Sequence, residues 1–200
     1  MRFSEVQLGA LRAIGDIGAS SAATALAALL KQEIDITVPG VRVVRAEDIL
    51  PVVGGGEQDV VAVCFRMQGD LSGSALFVLP AGEALFLADR MLGQPDGTAR
   101  VLGDMERSVV CEAANILTGS YITALRDATG LTTDLSPPAV AAAPAMVILS
   151  EASVMAGAEA DWVILVETLF HVQGGRLSAY LFILSAPEAM ERALGAPGAR

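Results

Sequence analysis

The sequence contains an internal duplication, and this feature constrains the fold more than any other. At an offset of 99 residues, AIGDIGASSAATAL (13–26) lies over EAANILTGSYITAL (112–125), and Pro39 lies over Pro138. Further along, DLSGSALFVLPAGEALFLADRMLG resembles RLSAYLFILSAPEAMERALG at a slightly longer offset. Each half should therefore form the same elements. We predict a single domain made of two pseudo-symmetric halves, about 1–98 and 99–200.

The pattern within each half is helix, strands, hairpin, helix. An Ala- and Leu-rich segment from Ser4 to Lys31 predicts a long helix with Ser4 as its N-cap, and 103–129 predicts a second one closed by Gly130. Strands are predicted at 33–38 and 41–45 around a Pro39-Gly40 turn, in a VVAVCFRM and GSALFVLP hairpin, and at 141–150, 161–173 and 177–185; shorter helices are predicted at 81–92 and 188–194. This order favours an α/β fold in which one sheet carries packed helices.

Composition excludes several classes of function. A formal charge of −10 without a cluster of Lys and Arg disfavours nucleic acid as a partner. The mean hydropathy of +0.54 raises the question of a membrane, but we find no segment with the length and low charge of a span, and expect a cytoplasmic protein. Cys64 and Cys111 lack CxxC spacing and the chain has one His, so we expect neither a disulfide nor a metal site.

The second long helix carries a narrow polar stripe. At about 100° per residue, Ser108, Glu112, Asn115 and Gly119 fall within roughly 60° of one another. The opposite, wider face is apolar and should dock on the sheet; it consists of Val109, Val110, Ala113, Ile116, Leu117 and Tyr121. A solvated helix face is one interpretation of the stripe. Asn is a poor residue for an exposed helix interior, however, which leaves a functional interpretation open.

The equivalent positions of the first helix differ in chemistry. Gly9, Ala13, Asp16 and Ser20 stand where the second helix has Ser108, Glu112, Asn115 and Gly119. The glutamate has thus become alanine and the asparagine aspartate. A purely solvated face gives no reason for such a difference. We therefore interpret the first helix as a copy that has lost the functional groups of the second.

These residues resemble the CheC/CheX/FliY family of phosphatases, which dephosphorylate the chemotaxis response regulator CheY. The family pattern is Asp or Ser, three residues, Glu, two residues, Asn, twenty-two residues, Pro. Ser108, Glu112, Asn115 and Pro138 match all four positions. The segment LRAIGDIGASSAATAL (11–26) is also similar to the opening helix of CheC, usually close to EIGNIGAGNAATAL. The resemblance, which covers essentially the whole chain, implies a pseudo-two-fold CheC-like fold with two long helices.

The resemblance also implies roles. Glu112 would pair with a lysine in the partner's active site, and Asn115 would orient the water that attacks the partner's aspartyl phosphate. Ser108 and Pro138 would shape the site. Mg²⁺ would be held by the response regulator, and this chain would bind no cofactor. An amide suits the task because it accepts from water and donates to a phosphoryl oxygen while remaining neutral.

The first half departs from the pattern. Ala13 lacks the lysine-pairing group and Asp16 would place negative charge near the phosphoryl group, so with Pro39 these residues would form a degenerate, weak or inactive site. An alternative is a noncatalytic binding role, since FliM of the flagellar switch uses a related fold, and the resemblance to CheC suggests association with the receptor deamidase CheD. A small-molecule enzyme is disfavoured because no nucleophile, metal cluster or cofactor loop is evident.

Overall fold

The computed structural model describes residues 4–30, 33–156, 162–172, 175–186, 189, 191 and 195. In chain order, the elements are α1 (Glu5–Leu30), β1 (Asp35–Arg45), α2 (Ile49–Val52), β2 (Asp59–Gly69), β3 (Gly73–Pro80), α3 (Ala81–Met91), α4 (Asp104–Thr129), β4 (Thr133–Leu135), β5 (Ala139–Pro144), α5 (Ala145–Ala156), β6 (Trp162–Val172) and β7 (Gly175–Ser185). A short 3₁₀ turn, Ala46–Asp48, precedes α2. The fold is the predicted α/β class.

The seven strands form one antiparallel sheet in the order β1-β6-β7-β3-β2-β4, with β5 also paired to β2. The hairpins β2–β3 and β6–β7 meet at the centre through β3 and β7. The strand that follows each long helix pairs with the hairpin of the other half: β1 lies on β6, while β4 and β5 lie on β2. The two halves therefore share the sheet by exchanging an outer strand.

The duplication is visible in the element bounds. The helices α1 and α4 each contain 26 residues and are offset by 99 at both ends. The same offset carries Arg45, at the end of β1, onto Pro144, at the end of β5. The pseudo-two-fold fold is therefore present, whereas the division of the chain near residue 98 stays a prediction.

The sheet is covered on both faces. One face packs against α1, α3 and α4, with Phe65, Phe77 and Phe170 among its fully buried side chains. The other face packs against α2 and α5 through a smaller cluster that includes Ile49 and Phe182. Because strands alternate their side chains between faces, β2, β3, β6 and β7 are apolar on both sides and form the inner layer.

Several local predictions are confirmed. Ser4 caps α1 in a reciprocal arrangement, in which the Gln7 N–H donates to Ser4 Oγ (3.2 Å) and the Ser4 N–H donates to Gln7 Oε1 (2.9 Å). Both hairpins form, with Val172 opposite Gly175 in the second one. The predicted helix at 188–194 lies outside the described residues apart from Ala189 and Glu191, which are helical.

The strand predicted at 141–150 is confirmed as far as Pro144 and wrong beyond it. Strand β5 ends at Pro144, and α5 begins at Ala145. The buried residues of α5 are Ala145, Ile148, Leu149 and Ala152, which is helical spacing. The first turn is held by backbone hydrogen bonds from Ala145 N–H to Gln58 O and from Met146 N–H to Gly56 O. A short apolar run of this kind does not distinguish a strand from a buried helix by periodicity.

The turn predicted at Pro39-Gly40 is also wrong. The chain runs through this position as one strand, β1, which pairs with β6 on both sides of it. The register shifts between Thr37 and Gly40, so the irregularity is a bulge rather than a reversal. Proline lacks an N–H for the ladder and is accommodated at such a bulge on an outer strand.

Among the described residues one helix, α1, is long and apolar enough to cross a membrane by length and composition. The expectation that no segment has these properties was therefore wrong by those two criteria. One face of α1 is buried against α4 and β1 through Leu11, Ile14 and Leu26, however. Arg12 and Asp16 are exposed on its other face. A core helix that packs in this way satisfies the same test.

Candidate functional site

The helix α4 has well-defined ends, which fix the position of the polar stripe. Asp104 and Glu106 lie in its first turn and Arg126 in its last, which matches the charge preference of a helix dipole. At the C-terminus Gly130 adopts a left-handed conformation (φ 72°), and its N–H donates to Arg126 O (2.7 Å). The predicted closure by Gly130 is confirmed.

The two faces of α4 separate as the helical wheel predicts. Val110, Ala113, Leu117 and Tyr121 are buried in the core, and Val109 and Ile116 are half-buried at its edge. Ser108, Glu112 and Asn115 are exposed, and Gly119 is half-buried. Spacings of three and four residues place neighbouring members of this stripe one turn apart. The side chains of Ser108, Glu112 and Asn115 are therefore available together to a single partner surface.

Within the described residues, the polar side chains of the stripe have no partners. Across the described part of the chain, no hydrogen bond or ion pair engages the side chain of Ser108, Glu112 or Asn115. The surface ion pairs of the described residues lie elsewhere, for example between Arg90 and Asp96. A carboxylate and a carboxamide that are exposed and unpaired can both engage an external group without first breaking an internal contact.

Cys111 lies beside this stripe but is unsuited to nucleophilic chemistry. Burial raises the pKa of its thiol, and the negative charge of Glu112 raises it further. The thiolate, which is the reactive form, is therefore disfavoured. Both Cys64 and Cys111 are free thiols. Within the described ranges, no three His, Cys, Asp or Glu side chains form a group that could hold a metal ion.

Pro138 is half-buried in the connection between β4 and β5. Both flanking strands contact α4. The connection is anchored to β2 by Ser136, whose N–H donates to Arg66 O (2.8 Å) and whose Oγ accepts from Arg66 N–H (2.9 Å). The segment that carries Pro138 is therefore held beside the helix that carries Glu112 and Asn115.

The first-half positions are also at the surface, with different surroundings. Ala13, Asp16 and Pro39 are exposed. The Arg12 guanidinium donates to Pro39 O (3.2 Å) and so bridges α1 and β1 beside Ala13. A cation thus lies where the other half has Cys111, and no carboxylate stands at position 13. The electrostatic character of the two faces is consequently different.

A large open groove lies beside α1 rather than at the stripe. It has a volume of about 1180 Å³ and is lined by α1, β1 and the end of β6, including Asp16, Glu33, Asp35 and His171. The His171 Nε2 and Thr37 Oγ1 atoms are 3.2 Å apart. Of the stripe residues and their equivalents, only Asp16 and Ser20 line this groove, so Glu112 and Asn115 lie on a helix surface outside it.

Met105 is a surface residue that the sequence interpretation missed. Its side chain is 65% exposed, and it precedes Ser108 by three residues, which extends the stripe by one turn. Val101, just before α4, is 73% exposed. The available signal was the spacing of Met105 from Ser108. A methionine in a helix is more often a core residue, so Met105 was not assigned to the surface from the sequence.

Comparison with known proteins places these residues in context. The model of the CheC-like family matches residues 10–43 and 105–141, which contain the stripe of α4 and its equivalent positions on α1 except Gly9. The chain is 34% identical over 199 residues to the CheY-P phosphatase CheC of Bacillus subtilis, covering 98% of this chain and 95% of that protein. It is also 36% identical over 141 residues to the flagellar motor switch phosphatase FliY of the same organism, covering 68% and 36% respectively.

Solved structures agree in fold. The structure of FliY from Thermotoga maritima superposes with a TM-score of 0.76 at 25% identity and covers 98% of this chain and 99% of that one. The FliM middle domain from H. pylori gives a TM-score of 0.73 at 15% identity, covering 96% and 99%. CheX in a CheX-CheY-BeF3-Mg²⁺ complex from Borrelia burgdorferi gives 0.50 at 18% identity, covering 84% and 95%.

Proposed function

The chain belongs to the CheC-like family, and on that premise we propose that it is a hydrolase that removes the aspartyl phosphate of a phosphorylated CheY-type response regulator. The observation that carries the proposal is the exposure of Glu112 and Asn115, three residues apart on one face of α4, with no partner for either side chain in the described part of the chain. The name of the Bacillus subtilis relative, CheY-P phosphatase, supports the same activity.

Asn115 would orient the attacking water. In the reaction, the water oxygen forms a bond to phosphorus while the bond from phosphorus to the partner's aspartate oxygen breaks. The products are inorganic phosphate and a free carboxylate, and the proton of the water passes to phosphate or solvent. Such a reaction requires in-line geometry and charge stabilisation more than a strong base. The carboxamide can accept from the water and donate to a phosphoryl oxygen without adding charge.

Glu112 would act in docking. Its carboxylate is exposed one turn before Asn115 and has no partner among the described residues. A lysine of the response regulator could therefore pair with it at no cost to an internal salt bridge. Charge pairs at an interface fix register and speed association. Docking through Glu112 would bring the phosphate to the carboxamide one turn away.

Ser108 and Pro138 would shape the site from either side. Ser108 precedes Glu112 by one turn on the same face, and Pro138 lies on a segment that is fastened to β2 beside α4. Mg²⁺ would belong to the response regulator; the CheX complex contains the metal together with CheY and BeF3. A partner that supplies both phosphate and metal removes the need for a deep pocket in this chain.

The first half would be weak or inactive. Ala13 has no carboxylate to pair with a lysine, and Asp16 would repel a phosphoryl dianion. The Arg12 side chain lies beside these positions, where its guanidinium donates to Pro39 O. Like charges at contact distance oppose binding in proportion to how well they are desolvated. We therefore assign the activity to the second half alone. A cytoplasmic location and association with CheD stay predictions.

A noncatalytic binding role in the flagellar switch is the second candidate. The FliM middle domain shares the fold, with a TM-score of 0.73, but at 15% identity this similarity concerns the fold alone. The carboxamide at position 115 has no evident purpose in a purely structural role. The two candidates differ in one measurable product, inorganic phosphate.

The test is a phosphate-release assay on response regulators phosphorylated in the presence of Mg²⁺. The proposal expects release to be accelerated at least tenfold over the intrinsic decay of the cognate regulator. Binding of the regulator, of CheD or of motor proteins without any acceleration would instead favour the noncatalytic role. Running several regulators in parallel identifies the cognate one.

A further inference from the structure

Gly119 stands in the interior of α4 without an internal reason for being glycine. A Cβ atom at this position would have no other part of the described chain within 4 Å. Gly119 is also absent from the glycines with positive φ, so its backbone is one that any residue adopts. In a helix interior, glycine is less favourable than alanine because its backbone loses more freedom on folding. Neither packing nor conformation therefore explains this residue.

Gly15 and Gly18 of α1 and Gly130 after α4 differ in this respect, whereas Gly9 on α1 has the same open surroundings. A Cβ at Gly18 would collide with Tyr121, and one at Gly15 would lie 3.1 Å from a methyl group of Val41. Gly130 needs its left-handed conformation to end α4. These three glycines have reasons inside the chain. Gly119 has no such reason within the described residues, and unlike Gly9 it lies on the same helix face as Glu112 and Asn115.

The position of Gly119 relative to Asn115 suggests what that reason is. Residues four apart on a helix are neighbours on one face. Because Cα–Cβ bonds tilt toward the N-terminus, a side chain at 119 would cover the preceding turn, where Asn115 lies. The first-half equivalent of Gly119 is Ser20, which does carry a side chain beside Asp16. Only the helix with Glu112 and Asn115 keeps this surface clear.

We propose that Gly119 is a clearance residue, whose missing side chain lets the phosphate-bearing surface of the response regulator approach the Asn115 carboxamide closely. The inference rests on the proposed function and deepens it by assigning a steric determinant of partner access. An attacking water must be held between the amide and phosphorus within hydrogen-bond reach. A displacement of about 1 Å in such a geometry can lower a rate by about 100-fold.

The test uses Gly119→Ala, Gly119→Leu and a matched control, Gly9→Ala. Gly9 is also helical and without neighbours within 4 Å of a Cβ, but it lies on α1 and is exposed where Gly119 is half-buried. Both alanine variants should raise Tm by about 2–4 °C, because alanine is the better helix former. We expect kcat/KM for phosphate release to fall about tenfold in Gly119→Ala and about 100-fold in Gly119→Leu. Affinity for the phosphorylated regulator should fall in the same order, and Gly9→Ala should match wild type in both.

If Gly119 had a structural role, Gly119→Ala would lower both Tm and kcat/KM. If Gly119 provides clearance, Gly119→Ala raises Tm and lowers kcat/KM. If Tm of Gly119→Ala falls, the helix itself needs the glycine and the inference is overturned. It is also overturned, with the proposed function intact, if wild type and Gly119→Leu release phosphate within twofold of each other while Asn115→Ala does not. A wild type that neither binds the regulator nor accelerates phosphate release overturns both.

Discussion

A Cβ atom added to Gly18 would lie 2.5 Å from Cδ1 of Tyr121 and 2.9 Å from its Cα. The backbone of α1 at Gly18 therefore packs directly against Tyr121 of α4. The Tyr121 hydroxyl makes a buried hydrogen bond with Thr168 Oγ1 (3.3 Å), which holds the ring in place. Burial raises the pKa of Tyr121 to about 12, so the ring stays neutral in the core. The crossing fixes α4, and with it the stripe, relative to the sheet.

Gly18→Ala is expected to destabilise the protein. The methyl group cannot be accommodated without moving α1 away from Tyr121, and overpacking of this kind costs about 1–3 kcal/mol. Urea unfolding monitored by circular dichroism measures the change. Gly9→Ala is the matched control, since open space surrounds it. Equal stabilities for the two variants would contradict the close crossing.

Glu112→Gln is expected to weaken docking and leave chemistry largely intact. Loss of the charge should raise KM for the phosphorylated regulator about tenfold with kcat changed less than threefold, since an interface charge acts mainly on association. The dependence of KM on salt should also become flatter. Glu106→Gln is the control, because this substitution also removes one negative charge from α4, but at a half-buried position that is not part of the stripe. A fall in kcat with unchanged KM would place Glu112 in the chemical step instead.

Met105→Ala tests whether the docking surface extends beyond the polar stripe. Burial of this exposed side chain by a partner would contribute about 1–2 kcal/mol, so its removal should raise KM about 5- to 30-fold without changing kcat. Val6 is the control, since it lies at the equivalent position of α1 and is 63% exposed, against 65% for Met105. If Val6→Ala raises KM as much as Met105→Ala does, the surface is not specific to α4.

The first-half face should be silent until its chemistry is restored. Asp16→Ala is expected to leave phosphate release within twofold of wild type. In an Asn115→Ala background, the combination of Ala13→Glu, Asp16→Asn and Ser20→Gly should raise release about tenfold, because it restores both side chains at exposed positions of α1 and removes the side chain next to them. Release that falls on Asp16→Ala would show instead that the native first half contributes.

Much of the fold followed from local chemistry. Ser4 and Gly130 mark helix ends because their preferences are decided by a few neighbouring atoms, and both predictions are confirmed. The exposure of Ser108, Glu112 and Asn115 followed from helical periodicity in the same way. Their chemical roles stay predictions, because exposure on a shared face does not by itself assign chemistry.

The pairing of strands that are distant in the sequence could not be predicted from local sequence patterns. Strand β1 pairs with the hairpin of the other half. The sequence of residues 35–45 does not indicate that β6 is its neighbour. The bulge at Pro39 depends on that pairing and was mistaken for a turn. The apolar run after Pro144 was taken for a strand because its helical form is selected by the sheet face it covers. Tertiary contacts decided each of these outcomes.

The most direct test of the account is the single-turnover decay of a phosphorylated cognate regulator at saturating concentrations of wild type and of Asn115→Ala. Because Asn115 is exposed and makes no hydrogen bond or ion pair with a described residue's side chain, its replacement should leave the free energy of unfolding nearly unchanged. The affinity for the regulator should stay within about threefold of wild type. Loss of a positioned group that acts on the transition state should lower the decay rate about 100-fold or more. Equal decay rates for the two proteins, with equal binding, would contradict the claim that the Asn115 carboxamide orients the attacking water.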